Sequence, residues 1–377
     1  MRLHFLILTL LLPAAIASAA DKPQFVPAPN SPIATGGSPG SSAAGDINGD
    51  GALDLVVSNL KLGRAQILLG DNTGQFRISE ESVPNKSAGI QILDANKDGL
   101  MDIAAAADWG YSVDIFLGNG KGGFAPSQGS PFKTRSGDDP RPYGLAAVDL
   151  NEDDHVDVLI LNNLDGDASG AFGDGTGQFA AMPNPIPVGE EPFDLAVRDV
   201  NGDGHLDICA PTSEGRIAEV TILYGDGKGG FTRGTPFEGA PDPYCVAFGD
   251  VNGDGHDDIA TIQVELPLIT VGLGDGKGKF TVAPGSPFKM TGAAYATDLE
   301  MGDANGDGRM DLFLAAGRNI QVYLANKKGE FVPAPGSPYV AGRGTWRFVL
   351  GDWNKDGKCD IAAPDFDGGT VTILLAR

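Results

Sequence analysis

Residues 46–54 of the chain read DINGDGALD, the first copy of a pattern on which the whole architecture rests. Oxygen-bearing side chains alternate at Asp46, Asn48 and Asp50, Gly51 follows them, and Asp54 closes the pattern. Because glycine adopts the positive φ that a sharp turn requires, the stretch predicts a tight loop whose side-chain oxygens converge. The apolar residues that follow indicate the start of a strand.

The pattern recurs seven times as Asp-x-Asn-x-Asp-Gly-x-x-Asp, and successive copies start 48 to 55 residues apart. Such a period indicates a repeat architecture. The third copy departs from the others, because Asp154 stands where the glycine is expected. The side chains that we predict to hold metal ions are Asp46, Asn48, Asp50, Asp54, Asp94, Asn96, Asp98, Asp102, Asp149, Asn151, Asp153, Asp157, Asp199, Asn201, Asp203, Asp207, Asp250, Asn252, Asp254, Asp258, Asp303, Asn305, Asp307, Asp311, Asp352, Asn354, Asp356 and Asp360.

A second motif, roughly Leu-Gly-Asp-Gly-x-Gly-x-Phe, follows each of the first six copies, as at residues 69–76 and 117–124. Short apolar or alternating runs lie between the motifs, and glycine-rich turns bound them, which is typical of strands. The 55 glycines and 26 prolines also favour many turns over helices. Each unit of about fifty residues then holds four strands, as a propeller blade does. We therefore predict an all-β fold, a seven-bladed β-propeller of four-stranded antiparallel blades.

The two ends of the chain are predicted to meet. The seventh unit stops at residues 370–375 without its last strand, whereas residues 24–32 resemble the outer-strand segment 331–338 of the sixth unit. The N-terminal segment is therefore expected to complete blade seven and close the ring. Closure would remove two exposed sheet edges.

The repeated loops have the chemistry of calcium sites. Calcium is a hard cation that takes six to eight oxygen ligands, whereas magnesium requires a smaller and more regular octahedron. Three carboxylates in one loop repel each other without a cation, and the formal net charge of the chain is −23. An EF-hand would need Glu at the twelfth loop position, where the first copy has Val57. We predict up to seven Ca²⁺ ions.

The first twenty residues are predicted to be a secretory signal peptide. Arg2 precedes the mostly apolar run 3–16, and small residues at 17–19 form a cleavage site. A transmembrane anchor is the alternative, but the run is shorter than the roughly 20 residues that a spanning helix needs. We expect a secreted or periplasmic protein with one propeller domain over residues 21–377. The strong negative charge argues against nucleic acid and anionic membranes as partners.

A candidate ligand face lies opposite the loops, where the innermost strands begin. Its aromatic residues are Tyr143, Phe193, Tyr244, Tyr295 and Trp346. Charged residues accompany them at Asp138, Asp139, Arg141, Glu190, Glu191, Asp242, Arg343 and Arg347. Aromatic rings beside carboxylates around a channel mouth could bind a sugar or a peptide. The alternative is that the rings only pack between blades, since aromatic residues are common core fillers.

The repeated motifs resemble those of the FG-GAP/VCBS repeat family, which includes the propeller of integrin α subunits. The resemblance covers residues from about 24 to 377. It implies calcium in the loop between the first two strands of each blade, on one face of the disc, and binding roles more often than catalysis.

Function at this point has three interpretations. The first is a binding or adhesion module for a polysaccharide or an extracellular protein. The second is a polysaccharide lyase or hydrolase on the same scaffold, and the third is a structural envelope protein. The chain has no His-Glu-x-x-His or phosphate-binding Gly-x-x-x-x-Gly-Lys motif, so binding is favoured over catalysis.

Overall fold

The computed structural model describes residues 25–84, 89–106, 110–135, 142–214, 217–239, 242–263, 266–292 and 295–377. The predicted signal peptide lies outside these ranges, as do Asp138, Asp139 and Arg141. All regular structure in the described ranges is β. Nothing in them forms a helix with the length and apolarity needed to span a bilayer.

The strands are numbered in chain order, and the first two precede the first blade: β1 (Val26–Pro27) and β2 (Ile33–Ala34). Blade one holds β3 (Pro39–Gly45), β4 (Asp54–Asn59), β5 (Arg64–Gly70) and β6 (Phe76–Pro84). Blade two holds β7 (Gly89–Leu93), β8 (Asp102–Ala106), β9 (Ser112–Gly118), β10 (Phe124–Pro126) and β11 (Phe132–Lys133). Blade three holds β12 (Pro142–Val148), β13 (Asp157–Asn162), β14 (Asp167–Gly173), β15 (Phe179–Ala181) and β16 (Ile186–Pro187).

The remaining blades follow the same plan. Blade four holds β17 (Ala196–Arg198), β18 (Asp207–Glu214), β19 (Ile217–Gly225) and β20 (Phe231–Arg233). Blade five holds β21 (Pro243–Gly249), β22 (Asp258–Gln263), β23 (Leu268–Gly274), β24 (Phe280–Val282) and β25 (Phe288–Lys289). Blade six holds β26 (Asp298–Gly302), β27 (Asp311–Ala316), β28 (Asn319–Ala325), β29 (Phe331–Pro333) and β30 (Tyr339–Val340). Blade seven holds β31 (Val349–Gly351), β32 (Asp360–Asp365) and β33 (Thr370–Leu375), with β1 and β2.

The predicted seven-bladed propeller is confirmed: the structure has seven antiparallel sheets with consecutive strands as neighbours. Five of the sheets contain one short strand more than predicted, because the outer strand is broken into two pieces that both pair with the third strand. In four of these five sheets a serine lies at the break and accepts a ladder N–H through its hydroxyl, as Ser130 Oγ does from Ile115 at 2.9 Å and Ser286 Oγ does from Val271 at 2.7 Å. A side-chain oxygen thus replaces the missing strand carbonyl at the break.

The hydrophobic core lies between blades. Each of seven buried clusters draws its side chains from two consecutive blades, and the last joins Val371 of blade seven to Leu55 of blade one. The second strand of a blade is covered on both faces, so all six residues of β4, β13 and β27 are buried. Continuous apolar runs are therefore found there instead of an apolar/polar alternation.

The ring closes through the N-terminal segment, as predicted. Val26 pairs with Leu375 and Ile33 pairs with Val371, both antiparallel. The ring of Phe25 lies edge-on to Phe313 and Tyr339, with centroids 5.9 and 5.1 Å away, so the segment also packs on blade six. The predicted segment began at Gln24, which lies outside the described residues.

Substitution Phe25→Ala tests this closure. Phe25 is 6% exposed, and truncating a buried phenylalanine costs about 3–5 kcal/mol. We expect the free energy of unfolding, measured by urea titration with calcium held constant, to fall by about that amount. The control is Val332→Ala on the outer strand of blade six, which is 59% exposed and should change stability little. Equal effects of the two substitutions would contradict closure through Phe25.

Candidate metal loops and ligand face

Each Asp loop has an internal scaffold of side-chain to backbone hydrogen bonds. In the first loop, Asp46 accepts N–H groups from Gly49 at 2.8 Å and from Gly51 at 2.8 Å. Asn48 Oδ1 accepts the N–H of Asp50 at 2.9 Å, and Asp50 Oδ1 accepts that of Ala52 at 2.8 Å. Asp and Asn favour such turns because their short side chains reach the backbone a few residues onward.

The last aspartate of each loop has a different position from the other three oxygen-bearing side chains. Asp54 is fully buried, and its two oxygens accept the N–H of Ile47 in the loop at 3.0 Å and of Gly70 at the end of β5 at 2.8 Å. The same double acceptance recurs in the other blades at Asp102, Asp157, Asp207, Asp258, Asp311 and Asp360. This aspartate therefore joins the loop to the third strand of its blade.

Burial makes this carboxylate easier to protonate. Desolvation raises the pKa of Asp54 to about 6, the N–H groups of Gly70 and Ile47 oppose the rise, and the carboxylates of Asp50 and Asp46 add to it. Burial raises the pKa of Asp311 and of Asp360 to about 7. A cation near the loop would favour the charged form, since an opposite charge within a few ångströms lowers a carboxyl pKa.

The third loop keeps the same scaffold without its glycine. Asp154 has a φ of +68° and donates its N–H to Asp149 at 2.8 Å, as Gly51 does to Asp46. Aspartate is one of the few residues that adopt this conformation at modest cost. The departure in sequence therefore leaves the loop conformation intact.

The donor set of the loops fits a hard cation. A carboxylate or amide oxygen has two lone pairs, so one that accepts an N–H can still face an ion. In the fifth loop, Asn252 Oδ1 is buried and has no hydrogen-bond partner. Across the described ranges, no group of three or more Asp, Glu, His or Cys side chains forms a compact metal cluster by itself. An ion in these loops would therefore need the asparagine and backbone oxygens as well.

The fourth and sixth loops each contain a side chain that pairs with a charged group. His205 Nδ1 of the fourth loop lies 2.5 Å from Glu152 of the third loop, so this contact connects two blades. In the sixth loop the Arg309 guanidinium pairs with Asp307.

The aromatic residues of the candidate ligand face divide into two groups. Phe193 contacts both Tyr143 and Tyr244, with ring centroids 5.2 and 4.9 Å apart, so these three half-buried rings form one cluster across blades three to five. Trp346 and Tyr295 are 59% and 50% exposed. Trp346 rests on Phe366, 5.6 Å between centroids, above blade seven. Packing between blades thus describes the first group, and the second group is open to solvent.

Sequence reasoning missed the charged groups inside the channel: Asp194, Asp298 and Glu300. With Arg347, they line two adjoining cavities of about 380 and 230 Å³ that the innermost strands enclose. Arg347 Nη1 lies 3.7 Å from Asp194 and 3.9 Å from Asp298. Asp194 and Asp298 each stand five residues before a loop, as Arg347 does, and that shared repeat position was the available signal.

The two channel aspartates also connect neighbouring blades. Asp194 accepts the N–H of Val246 at 3.0 Å, and Asp298 accepts that of Phe348 at 2.9 Å, each from the following blade. Desolvation raises the pKa of Asp298 and Glu300, and Arg347 opposes the rise. The Glu300 side chain points into the channel lumen, and the other residues that line the channel surround it. The channel interior is thus polar and carries more negative than positive groups.

A family model described as FG-GAP-like repeat matches residues 46–105, 94–160, 149–210, 211–261 and 303–363. The chain belongs to the FG-GAP-like repeat family. A curated relative of this FG-GAP propeller is the T-cell immunomodulatory protein of Rattus norvegicus, 26% identical over 265 residues. The match spans 59% of this chain and 41% of the relative, so the chain covers less than half of that protein.

Two solved structures share the propeller fold. BBS1N, solved in complex with ARL6DN, has a TM-score of 0.64 at 15% identity, over 93% of this chain and 96% of that one. A lectin from Agrocybe aegerita that recognises non-reducing terminal N-acetylglucosamine has a TM-score of 0.55 at 18% identity, over 91% and 90%. At these identities the likeness shows the fold alone.

Substitution Asp102→Asn tests the structural role of the last aspartate of the loop. Asparagine has one carbonyl oxygen, so one of the N–H groups of Ala95 and Gly118 would face an amide NH₂ and lose its acceptor. We expect the free energy of unfolding in excess EDTA to fall by about 1–3 kcal/mol. The matched control is Asp98→Asn in the same loop, where the side chain is exposed and should change stability by less than about 1 kcal/mol without metal. Similar losses in both variants would contradict the role assigned to Asp102.

Proposed function

We propose that this FG-GAP propeller is a secreted or periplasmic, calcium-stabilised binding module whose ligand face lies opposite the Asp loops. The observation that carries the proposal is the distribution of exposed apolar side chains over the disc. Calcium then serves stability, and the other face serves recognition.

Calcium would be held by the first three oxygen-bearing side chains of each loop, Asp46, Asn48 and Asp50 in the first, with Asp54 beside them. The loop scaffold supports this assignment, because it already orders these side chains. When bound, the ion would supply positive charge that offsets the clustered carboxylates. Export is supported by the predicted signal peptide at residues 1–20.

The ligand face carries five large apolar side chains that are at least 41% exposed. They are Leu62, Leu164, Leu266, Tyr295 and Trp346. Four others lie on outermost strands, at Ile78, Val282, Val332 and Val340, and the described part of the chain has none in an Asp loop. The exposed apolar side chains on this face are available for contact with a ligand.

Two ligand classes are supported by different residues of this face. Trp346 on Phe366 is a flat, exposed aromatic surface near the charged channel, an arrangement suited to a sugar ring with polar groups at its edge. The hairpin tips Leu62, Leu164 and Leu266 favour an extracellular protein. Proteins of this fold are known with both kinds of ligand, namely the N-acetylglucosamine lectin and the BBS1N–ARL6DN complex. Polysaccharide is the first candidate, since the exposed Trp346 offers an aromatic surface of the kind that lines ligand sites.

A carbohydrate-active enzyme at the same channel is the weaker candidate. Asp194 and Asp298, the carboxylates closest to Arg347, each already accept a backbone N–H from the next blade. The hydrogen bonds that these two aspartates make between blades explain their positions, and no catalytic role is needed to explain them. Time-dependent product formation from a polysaccharide would reverse this order of preference.

Removal of calcium tests the stabilising role. Each site at a calcium concentration one hundred times its Kd adds about 2.7 kcal/mol to the free energy of unfolding. We therefore expect excess EDTA to lower the melting temperature strongly, and calcium added back above the chelator to restore it. The control is a matched ionic strength of sodium chloride with no chelator. An unchanged melting temperature in EDTA would contradict calcium stabilisation.

Substitution Trp346→Ala tests the ligand face. We expect wild-type protein with calcium to bind members of a glycan array or immobilised polysaccharides, and the variant to bind them roughly thirtyfold more weakly, a loss of about 2 kcal/mol typical of a central aromatic contact. The control is Val332→Ala, because Val332 has the same exposed fraction of 59% on an outer strand. Binding that both variants retain would place the site elsewhere.

A further inference from the structure

The sixth Asp loop differs from the others in what contacts its third oxygen-bearing side chain. In five loops, the Oδ2 atom of this aspartate accepts the amide of the loop's asparagine, at 2.9–3.2 Å. In the sixth loop, Asp307 Oδ2 instead accepts the guanidinium of Arg309. A permanent positive charge therefore stands where a neutral amide stands in those five loops.

Arg309 is held in this position by a second contact. Its Nε atom donates to the carbonyl of Ala325 at the end of β28, at 3.4 Å. The side chains of Arg309 and Asp307 are 17% and 30% exposed, so the pair is partly withdrawn from solvent. Arginine retains its charge at every physiological pH.

The equivalent residue of the other loops does not form this contact. That position holds Ala52, Leu100, His155, His205, His256 and Lys358. Lys358 of the seventh loop is the closest comparison, because it is also cationic. Its backbone N–H donates to Asp356 at 3.0 Å, and within the described ranges its ammonium group makes no ion pair.

We propose that Arg309 occupies the role of the cation in the sixth loop, so that this loop is ordered without calcium and binds it more weakly than the others do. The proposal rests on the proposed calcium binding of the other loops. Its physical basis is that the guanidinium of Arg309 supplies the positive charge and the hydrogen bond that the Asp307 carboxylate needs, and that the same charge repels a divalent ion. Repulsion between a unit charge and Ca²⁺ at about 5 Å in a solvent-like dielectric corresponds to a loss of affinity on the order of tenfold.

The test compares three full-length proteins: wild type, Arg309→Gln and Lys358→Ala. Glutamine removes the charge of Arg309 and keeps a hydrogen-bond donor, and both variants lose one positive charge. Calcium binding is measured by equilibrium dialysis across a calcium series at constant ionic strength. The thermal melting of each protein in EDTA and in calcium is the second measurement.

We expect the weakest calcium site of the wild type to tighten on the order of tenfold in Arg309→Gln, and to tighten less in Lys358→Ala. We also expect EDTA to lower the melting temperature of Arg309→Gln by more than it lowers that of the wild type, since the sixth loop of the variant depends on calcium. If Arg309→Gln fails to fold, Arg309→Met, which also removes the charge, takes its place with the same expected tightening of the weakest site.

Equal calcium affinities in wild type and Arg309→Gln would overturn the proposal, and so would equal shifts in Arg309→Gln and Lys358→Ala, because net charge alone would then explain them. Wild-type protein that binds no calcium at millimolar concentration is a different result: it refutes the proposed calcium binding as a whole. The two failures are therefore distinguishable.

Discussion

The buried aspartate at the end of each loop is the interaction on which the rest of the propeller depends. Asp54 and its equivalents have no exposed surface, and each accepts one N–H from its own loop and one from the third strand. Two charge-assisted hydrogen bonds offset part of the cost of burying a carboxylate. The loop, the second strand and the third strand are thereby fixed to each other in every blade, before any metal is considered. This separates the loop residues into one that holds the blade together and three that face outward, where a cation could bind.

The ring is held by contacts between blades, since no blade has a core of its own. Each apolar cluster belongs to two neighbours, and the channel carboxylates Asp194 and Asp298 add a polar connection at the inner edge. Closure by the N-terminal segment follows the same logic, because Phe25 packs on blade six while β1 and β2 complete blade seven. A propeller of this kind has two faces with different chemistry. One face has the acidic loops, and the other has the exposed apolar residues and the mouth of a charged channel.

In the proposed function, recognition and metal binding are separated by the thickness of the disc. A change at the Asp loops reaches the ligand face through the first two strands of a blade, one of which ends at the loop and the other of which begins there. In the proposed function, variation among the loops adjusts stability and leaves the ligand face unaltered. His205 and Arg309 show such variation, since the ion pairs His205–Glu152 and Arg309–Asp307 have no equivalent in the other loops of the described ranges.

The sequence by itself determined the number of blades, their strand order and the residues of the seven Asp loops. Those features depend on local rules: glycine and Asx turns, short apolar strands and a period of about fifty residues. The ring closure was also predictable, because residues 24–32 match the outer strand of another unit. Only the tertiary structure brought Asp194, Asp298 and Arg347 together, since they come from three blades and meet across a channel that no single repeat encloses. It also placed Trp346 on Phe366 in solvent while it packed Phe193 between Tyr143 and Tyr244. Residues at nearly equivalent repeat positions diverged in this way because burial depends on the side chains of the neighbouring blade, and a single repeat does not contain that information.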